Sequence, residues 1–244
     1  MSKVRRFRVE SLQDVVAGAH LSLPETEAHH ARVLRLKTGE CIELFDSAGR
    51  VAHATLRING EIVAQVNSIE APPAKRRHKV TLAVAWPKGK RAAVLVEKCS
   101  ELGADCILPT RYARGVVSKD EESEGVSRLR RIAAEAAKQC GRDDVPEILG
   151  ELSFEEVLAR YSAGTLRVIL DPRAPQNLFD FLQKEWKPGE QPLLFFIGPE
   201  GGITPDELNA ADASGVRRAR LAEHVLRIET AALAACAIAG GIRT

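Results

Sequence analysis

Two hydrophobic periodicities divide this chain. Up to residue 70 the apolar positions fall in short runs that often alternate with polar ones, at Val4–Val9, Cys41–Phe45, Val51–Ile58 and Glu61–Ile69. Alternation with β-branched residues predicts strands. Asp46-Ser47-Ala48-Gly49 and Asn59-Gly60 separate the last three runs. Asn-Gly between two such runs predicts a hairpin, because both residues tolerate positive φ. Over 26–36, Ala28, Val33, Leu34 and Leu36 are spaced as on a short helix. The front of the chain thus predicts a small β-rich module.

Beyond residue 78 the pattern changes. Continuous apolar runs predict strands at Val80–Trp86, Cys106–Leu108, Leu166–Leu170, Leu193–Ile197 and Val216–Leu221. Helical patterns predict Arg91–Leu102, Val126–Cys140, Leu178–Lys184, Pro205–Ala213 and Ile228–Ile242. Strands alternating with helices imply a parallel sheet covered on both faces. The expected domains are 1–72 and 79–244, and Ala71–His78, with Pro72, Pro73 and several basic residues, reads as their stiffened, solvated linker.

Composition narrows the function classes. The 244 residues are 45% hydrophobic and 28% charged, which excludes global disorder and a fibrous protein. Net charge is only +2, but it is uneven: residues 1–78 and 79–145 are each net +3, and residues 146–244 are net −4. A basic front weakly favours nucleic acid as a partner. The five cysteines are odd in number and lack CxxC spacing, so they read as reduced thiols, with no zinc site or disulfide framework. Ala231–Ala239 is the longest apolar stretch and falls far below the ~20 residues of a membrane span. No apolar signal segment opens the sequence. The expectation is a cytoplasmic protein with no membrane partner and no metal.

Four segments carry candidate chemistry. The run Leu193–Ile197 enters Gly198-Pro199-Glu200-Gly201-Gly202-Ile203, after which Thr204, Pro205 and Glu207 form a helix-start signature. Glycines there let backbone approach a ligand, and α/β sheets bind ligands at strand C-terminal ends. An ordinary strand-to-helix turn would carry the same residues. Neither a P-loop nor a GxGxxG fingerprint is present, which argues against a P-loop NTPase or a conventional dinucleotide enzyme. The second segment, Leu221–Ala232, opens the Ala-rich last helix with Arg227 and Glu229, either as site residues or as a surface ion pair. The third, Trp86–Arg91, is a basic loop at a strand end. In the fourth, Arg128 and Arg131 share a helix face with Glu135.

In this order, Arg6, His30-x-x-Val33-Leu34-Arg35, Glu97-Lys98-x-x-Glu101-Leu102-Gly103, Gln139-Cys140-Gly141-Arg142, Ile197–Thr204 and Val225-Leu226-Arg227-x-Glu229-Thr230 resemble the RsmE family of ribosomal RNA uridine N3-methyltransferases, within the SPOUT superfamily. The resemblance covers nearly the whole chain. It implies a PUA-like, RNA-binding β-barrel at the front and a SPOUT-type α/β domain whose C-terminal segment threads a trefoil knot. It further implies a homodimer, S-adenosylmethionine as cofactor, and one uridine of small-subunit ribosomal RNA, free or in the 30S particle, as target. At one place the sequence departs from the family: the usual Leu-Gly-x-Arg is Leu221-Ala222-Glu223-His224.

The residues implied to hold the cofactor are Leu170, Ile197, Gly198, Glu200, Gly201, Gly202, Leu221, Val225, Leu226 and Thr230. Uracil N3 must lose a proton before it can attack, so a base and a charge-stabilising cation are needed. Arg227 is the expected cation and Glu229 the expected base or orienter, with Glu200 as the alternative base. Arg5, Arg6, Arg8, Arg32, Arg35, Lys88, Lys90 and Arg91 are the expected RNA phosphate contacts. Two other readings stay open: an RNA-binding protein that keeps the fold without catalysis, and an α/β enzyme acting on a small nucleotide-like metabolite.

Overall fold

The computed structural model describes residues 4–46, 48–70, 79–115, 124–161 and 164–243. The expected linker, Ala71–His78, lies outside them, as does Ser47. The described residues form two compact units, one from Met1–Lys75 and Ala137–Val145, the other from Arg76–Ala136 and Pro146–Thr244.

The first unit is a five-stranded sheet with one helix. Its elements are β1 (Arg5–Arg8), β2 (His20–Ser22), α1 (Glu25–Val33), β3 (Cys41–Phe45), β4 (Val51–Asn59) and β5 (Glu61–Ile69), in strand order β1-β3-β4-β5-β2. β1 runs parallel to β3, and the other pairs are antiparallel. The β4–β5 hairpin forms where Asn59-Gly60 predicts it, but only Gly60 takes positive φ (83°), while Asn59 pairs with Glu61 as the last residue of its strand. Alternating strands turn Phe7, Ile42, Leu44, Leu56, Ala64 and Val66 inward onto Ala28 and Ala31 of α1.

Ala137–Val145 joins this unit through charge. Arg6 donates to the Arg142 carbonyl (3.0 Å) and to Asp143 (2.7 Å), lies 3.1 Å from Glu43, and stacks over Phe45. Lys138 pairs with Glu27, whose carboxylate is buried. The expected boundaries placed 137–145 with the rear domain; these tertiary ion pairs bring it to the front one.

The second unit carries β6 (Val80–Val84), α2 (Lys90–Glu101), β7 (Cys106–Arg111), α3 (Glu124–Cys140), β8 (Glu147–Ile148), β9 (Leu152–Ser153), α4 (Phe154–Arg160), β10 (Leu166–Leu170), α5 (Leu178–Glu185), β11 (Leu193–Ile197), α6 (Pro205–Ala213), β12 (Arg217–Ala219) and α7 (Ile228–Arg243). α3 ends in the first unit, which takes its residues from Ala137. The strands form a parallel sheet in the order β12-β10-β11-β6-β7-β8, with β9 also paired to β7. β6 (VTLAV) and β11 (LLFFI) are buried at every residue, as expected where both sheet faces are covered. α7 packs on β6, β11, α2 and α5. Among the described residues no helix is long and apolar enough to cross a membrane.

Candidate functional site

β12, β10 and β11 lie side by side and parallel, so their C-terminal ends open onto one edge. The turns that leave them enclose a cavity of about 320 Å³, within the range of small-molecule sites. Its walls are Ile169–Arg173 at the end of β10, Ile197–Ile203 at the end of β11, and Leu221, Ala222 and His224–Leu226 on the way to α7. Ile228 and Ala231, three apart on α7, also face it, as does Leu208 of α6.

Local chemistry explains why the Gly198–Ile203 turn holds its shape. A Cβ on Gly198 would sit 2.5 Å from Ile203 Cγ1, so only glycine lets the chain fold back there. Gly202 adopts φ 75° and donates to the Pro199 carbonyl (2.8 Å), a conformation that L side chains rarely take. At the start of α6, Thr204 Oγ1 accepts from the Glu207 N–H (3.2 Å), and Glu207 Oε2 accepts from the Thr204 N–H (2.8 Å). This is the predicted capping box. Glu207 is buried and uses its other oxygen to accept from the Ala113 N–H (2.8 Å). Arg114 in turn donates to the Gly201 carbonyl (3.1 Å). The chain beyond β7 therefore clamps the glycine turn from outside.

The third wall is stitched to the first. The Asp171 N–H donates to the Ala219 carbonyl (3.1 Å), the Leu178 N–H to Arg220, and the Arg220 N–H to Gln176 (both 2.8 Å). Asp171 Oδ1 accepts from the Arg173 N–H (2.9 Å), which fixes the Asp171-Pro172-Arg173 turn.

Nine of the ten residues expected to hold a cofactor line this cavity: Leu170, Ile197, Gly198, Glu200, Gly201, Gly202, Leu221, Val225 and Leu226. Thr230 does not, nor do Arg227 and Glu229, because the helical repeat turns Ile228 and Ala231 inward instead. Arg227 is exposed and has no side-chain partner among the described residues. Glu229 is 13% exposed, and its Oε2 is buried without a hydrogen bond. Asp171, Pro172 and Arg173 went unnoticed in the sequence; the signal was a polar turn directly after the apolar run Leu166–Leu170. His224, conspicuous only as a departure from the family, sits in the wall.

The expected phosphate contacts separate into two groups. Arg5, Arg32, Arg35, Lys88 and Lys90 are exposed, and Arg8 is half-buried. Arg32 pairs with Glu25 across solvent (3.0 Å). Arg6 and Arg91 differ: Arg6 is 10% exposed and committed as described above, and Arg91 lies 3.0 Å from Glu200. Both guanidiniums have carboxylate partners from other segments of the chain.

Two thiols are poor nucleophiles in this fold. A hydrogen bond with Cys236 and burial push the Cys99 thiol well up, and burial with nearby Glu147 pushes Cys106 up to about 12. Both stay as thiols at neutral pH. Among the described residues no three His, Cys, Asp or Glu side chains cluster as a metal site requires.

Comparison with known proteins bears on this cavity. A family described as "RNA methyltransferase domain" matches residues 74–240, and one described as "RNA methyltransferase PUA domain" matches residues 23–65. The chain is similar to the ribosomal RNA small subunit methyltransferase E of Mycobacterium bovis, with 32% identity over 243 residues covering 96% of this chain and 90% of that protein. The Bacillus subtilis protein of the same name is 28% identical over 240 residues, covering 94% and 93%. Among solved structures, the ribosomal RNA small subunit methyltransferase E of Neisseria gonorrhoeae, bound to S-adenosyl methionine, superimposes with a TM-score of 0.85 at 27% identity, covering 96% of this chain and 95% of that one. A Legionella pneumophila putative methyltransferase in complex with the same cofactor gives a TM-score of 0.84 at 26% identity, covering 97% and 96%.

Proposed function

Because the chain belongs to the RsmE family of ribosomal RNA methyltransferases, we propose that it methylates N3 of a uridine in small-subunit ribosomal RNA, with S-adenosylmethionine as donor. The observation that carries this reading is the cavity built from three turns at the C-terminal edge of β10, β11 and β12.

The residues present fit the donor. Gly198 lets the turn fold back on Ile203 and Gly202 holds the left-handed φ that shapes the cradle, and Leu170, Ile197, Leu221, Val225 and Leu226 supply apolar wall for adenosine. Asp171 and Glu200 offer carboxylates to cationic and hydroxyl groups, and Arg173 offers a cation to a carboxylate. When bound, the donor supplies an electrophilic methyl group on a sulfonium. The chain supplies orientation, which can account for ~7–11 kcal/mol of a two-reactant barrier.

The acceptor sets the remaining demand. Uracil N3–H must be deprotonated, and the charge that spreads onto the flanking carbonyls must be stabilised. Arg227, exposed just before α7 and without a side-chain partner among the described residues, is the cation of this proposal. Glu229, with a buried oxygen lacking a donor, is the base or orienter. Arg5, Arg8, Arg32, Arg35, Lys88 and Lys90 neutralise RNA phosphates, so binding weakens steeply with salt. A homodimer acting on RNA or the 30S particle in the cytoplasm belongs to the same proposal. So does threading of the C-terminal segment, which the family resemblance implies.

The test is methyl incorporation from labelled donor into small-subunit RNA or particles. Arg227→Ala lowers the rate by about 10²–10³-fold, as removal of a charge-stabilising group does elsewhere. A rate within a few-fold of wild type removes Arg227 from the mechanism. Calorimetry that detects no donor binding to the wild-type protein removes the whole reading.

A further inference from the structure

α2 begins against the ordinary rule for helices. The positive end of a helix favours acids, yet the first turn of α2 contains Lys90 and Arg91 and no acid. The compensating charges come from two other segments. Arg91 Nη1 lies 3.0 Å from Glu200 Oε1 in the glycine turn and 4.0 Å from Glu229 Oε2 at the start of α7. Only the first is a hydrogen bond. The Glu229 oxygen is buried and lacks a hydrogen-bond donor, so Arg91 is the cation beside it. Arg91 and Glu200 are themselves 38% and 55% exposed. Pairs that open to water add little stability. What the cluster does is register one segment against another, joining a cavity-wall residue to the helix that Arg227 immediately precedes.

We propose that Arg91 is a positioning residue, which ties Glu200 of the donor cavity to Glu229 of α7 so that the donor turn and the acceptor-side groups are held in one register. This rests on the methyltransferase reading. It removes Arg91 from the RNA phosphate contacts.

The experiment compares wild type, Arg91→Ala, Arg91→Lys, Glu200→Gln and the Arg91→Ala/Glu200→Gln double variant. The readouts are donor affinity by calorimetry, kcat and KM for RNA, and the salt dependence of RNA binding. Arg91→Ala weakens donor affinity at least ten-fold and lowers kcat by roughly 100-fold, the scale of misplaced reacting groups. KM for RNA and the salt slope stay unchanged. The two single effects are coupled, so the double variant loses less than their product. Arg91→Lys keeps the charge but not the reach of Nη1, which lies near both carboxylates, and recovers only part of the loss. If Arg91→Ala does not fold, the Lys variant carries the test, and wild-type donor affinity and kcat in it overturn the proposal. Unchanged donor affinity in Arg91→Ala, with a salt slope reduced by about one, makes Arg91 a phosphate contact and overturns it as well. Single effects that simply multiply do the same. A wild-type protein that binds no donor and transfers no methyl refutes the functional reading, and this inference falls with it; an active wild type with an indifferent Arg91 refutes this inference alone.

Discussion

Gly198→Ala adds one methyl group at the point where the donor turn folds back on itself. The new Cβ would lie 2.5 Å from Ile203 Cγ1 and 3.1 Å from its Cδ1. Carbon atoms rest ~3.5–4.0 Å apart, so the turn or Ile203 must give way by about 1 Å. Overpacking of this kind costs about 1–3 kcal/mol, and reduced freedom of the unfolded chain returns about 0.4–1 kcal/mol. A net loss of about 1–2 kcal/mol is expected in urea unfolding. Donor affinity should suffer more, because Ile203 is itself part of the cavity wall; about 10–100-fold is expected for a displacement of this size. Gly201→Ala is the control. Its Cβ would meet Arg114 Cβ at 3.5 Å, an ordinary contact, so stability should stay within about 0.5 kcal/mol. Ile203→Ala removes both clashing atoms, so adding Gly198→Ala to that background should cost almost nothing further. Equal stability and equal donor affinity in the Gly198→Ala and Gly201→Ala proteins would refute the steric argument.

Two further predictions concern the first unit. Burial of Asp46 opposes its charge, but hydrogen bonds from Leu12, Arg50 and Ala48 outweigh it and hold the carboxyl below its ordinary 3.8. Its contribution is therefore complete above about pH 4 and lost as pH falls through the depressed folded value. Asp46→Asn should cost about 1–3 kcal/mol at pH 7, and its deficit in thermal melts should shrink below pH 4; a deficit constant down to pH 2 contradicts this. Arg6→Ala removes the partner of Glu43 and Asp143 and the hydrogen bond to the Arg142 carbonyl, and should destabilise by about 1–3 kcal/mol, because the two carboxylates it leaves are partly solvated. The salt slope of RNA binding should not change, and a slope lowered by about one would restore Arg6 as a phosphate contact.

Legibility followed the length and purity of the apolar signal. β3, β5, β10, β11 and α6 match their expected bounds because each is a clean run with a turn or cap at its ends. β2, β8 and β9 are two or three residues long, too short for any period to register. α4 was missed although Ser153 and Glu156 form its capping box; a motif of this type preceding Phe154, Val157 and Leu158 was the available signal. The chain switch at Ala137 was not legible, because Arg6–Asp143 and Lys138–Glu27 join residues more than a hundred positions apart. At the site, glycines announced one wall. The Asp171–Arg173 wall and the clamps from Ala113 and Arg114 depend on tertiary contacts that no local pattern encodes.

Several local rules fail at one edge of the parallel sheet. α2 starts with two cations, Gly198 tolerates no Cβ, Gly202 holds a left-handed φ, and Glu229 buries an oxygen without a donor. Such departures persist where surrounding structure over-determines them. Here β6 and β11, buried at every residue, and α7 packed across both supply that support. Conflicts gathered at the C-terminal strand ends, beside a rigid apolar sheet, accord with a ligand site there, although Arg6 Nε and Glu27 Oε2 of the first unit also lack hydrogen-bond partners. A fold selected for stability alone would have placed an acid at the start of α2 and a donor beside Glu229.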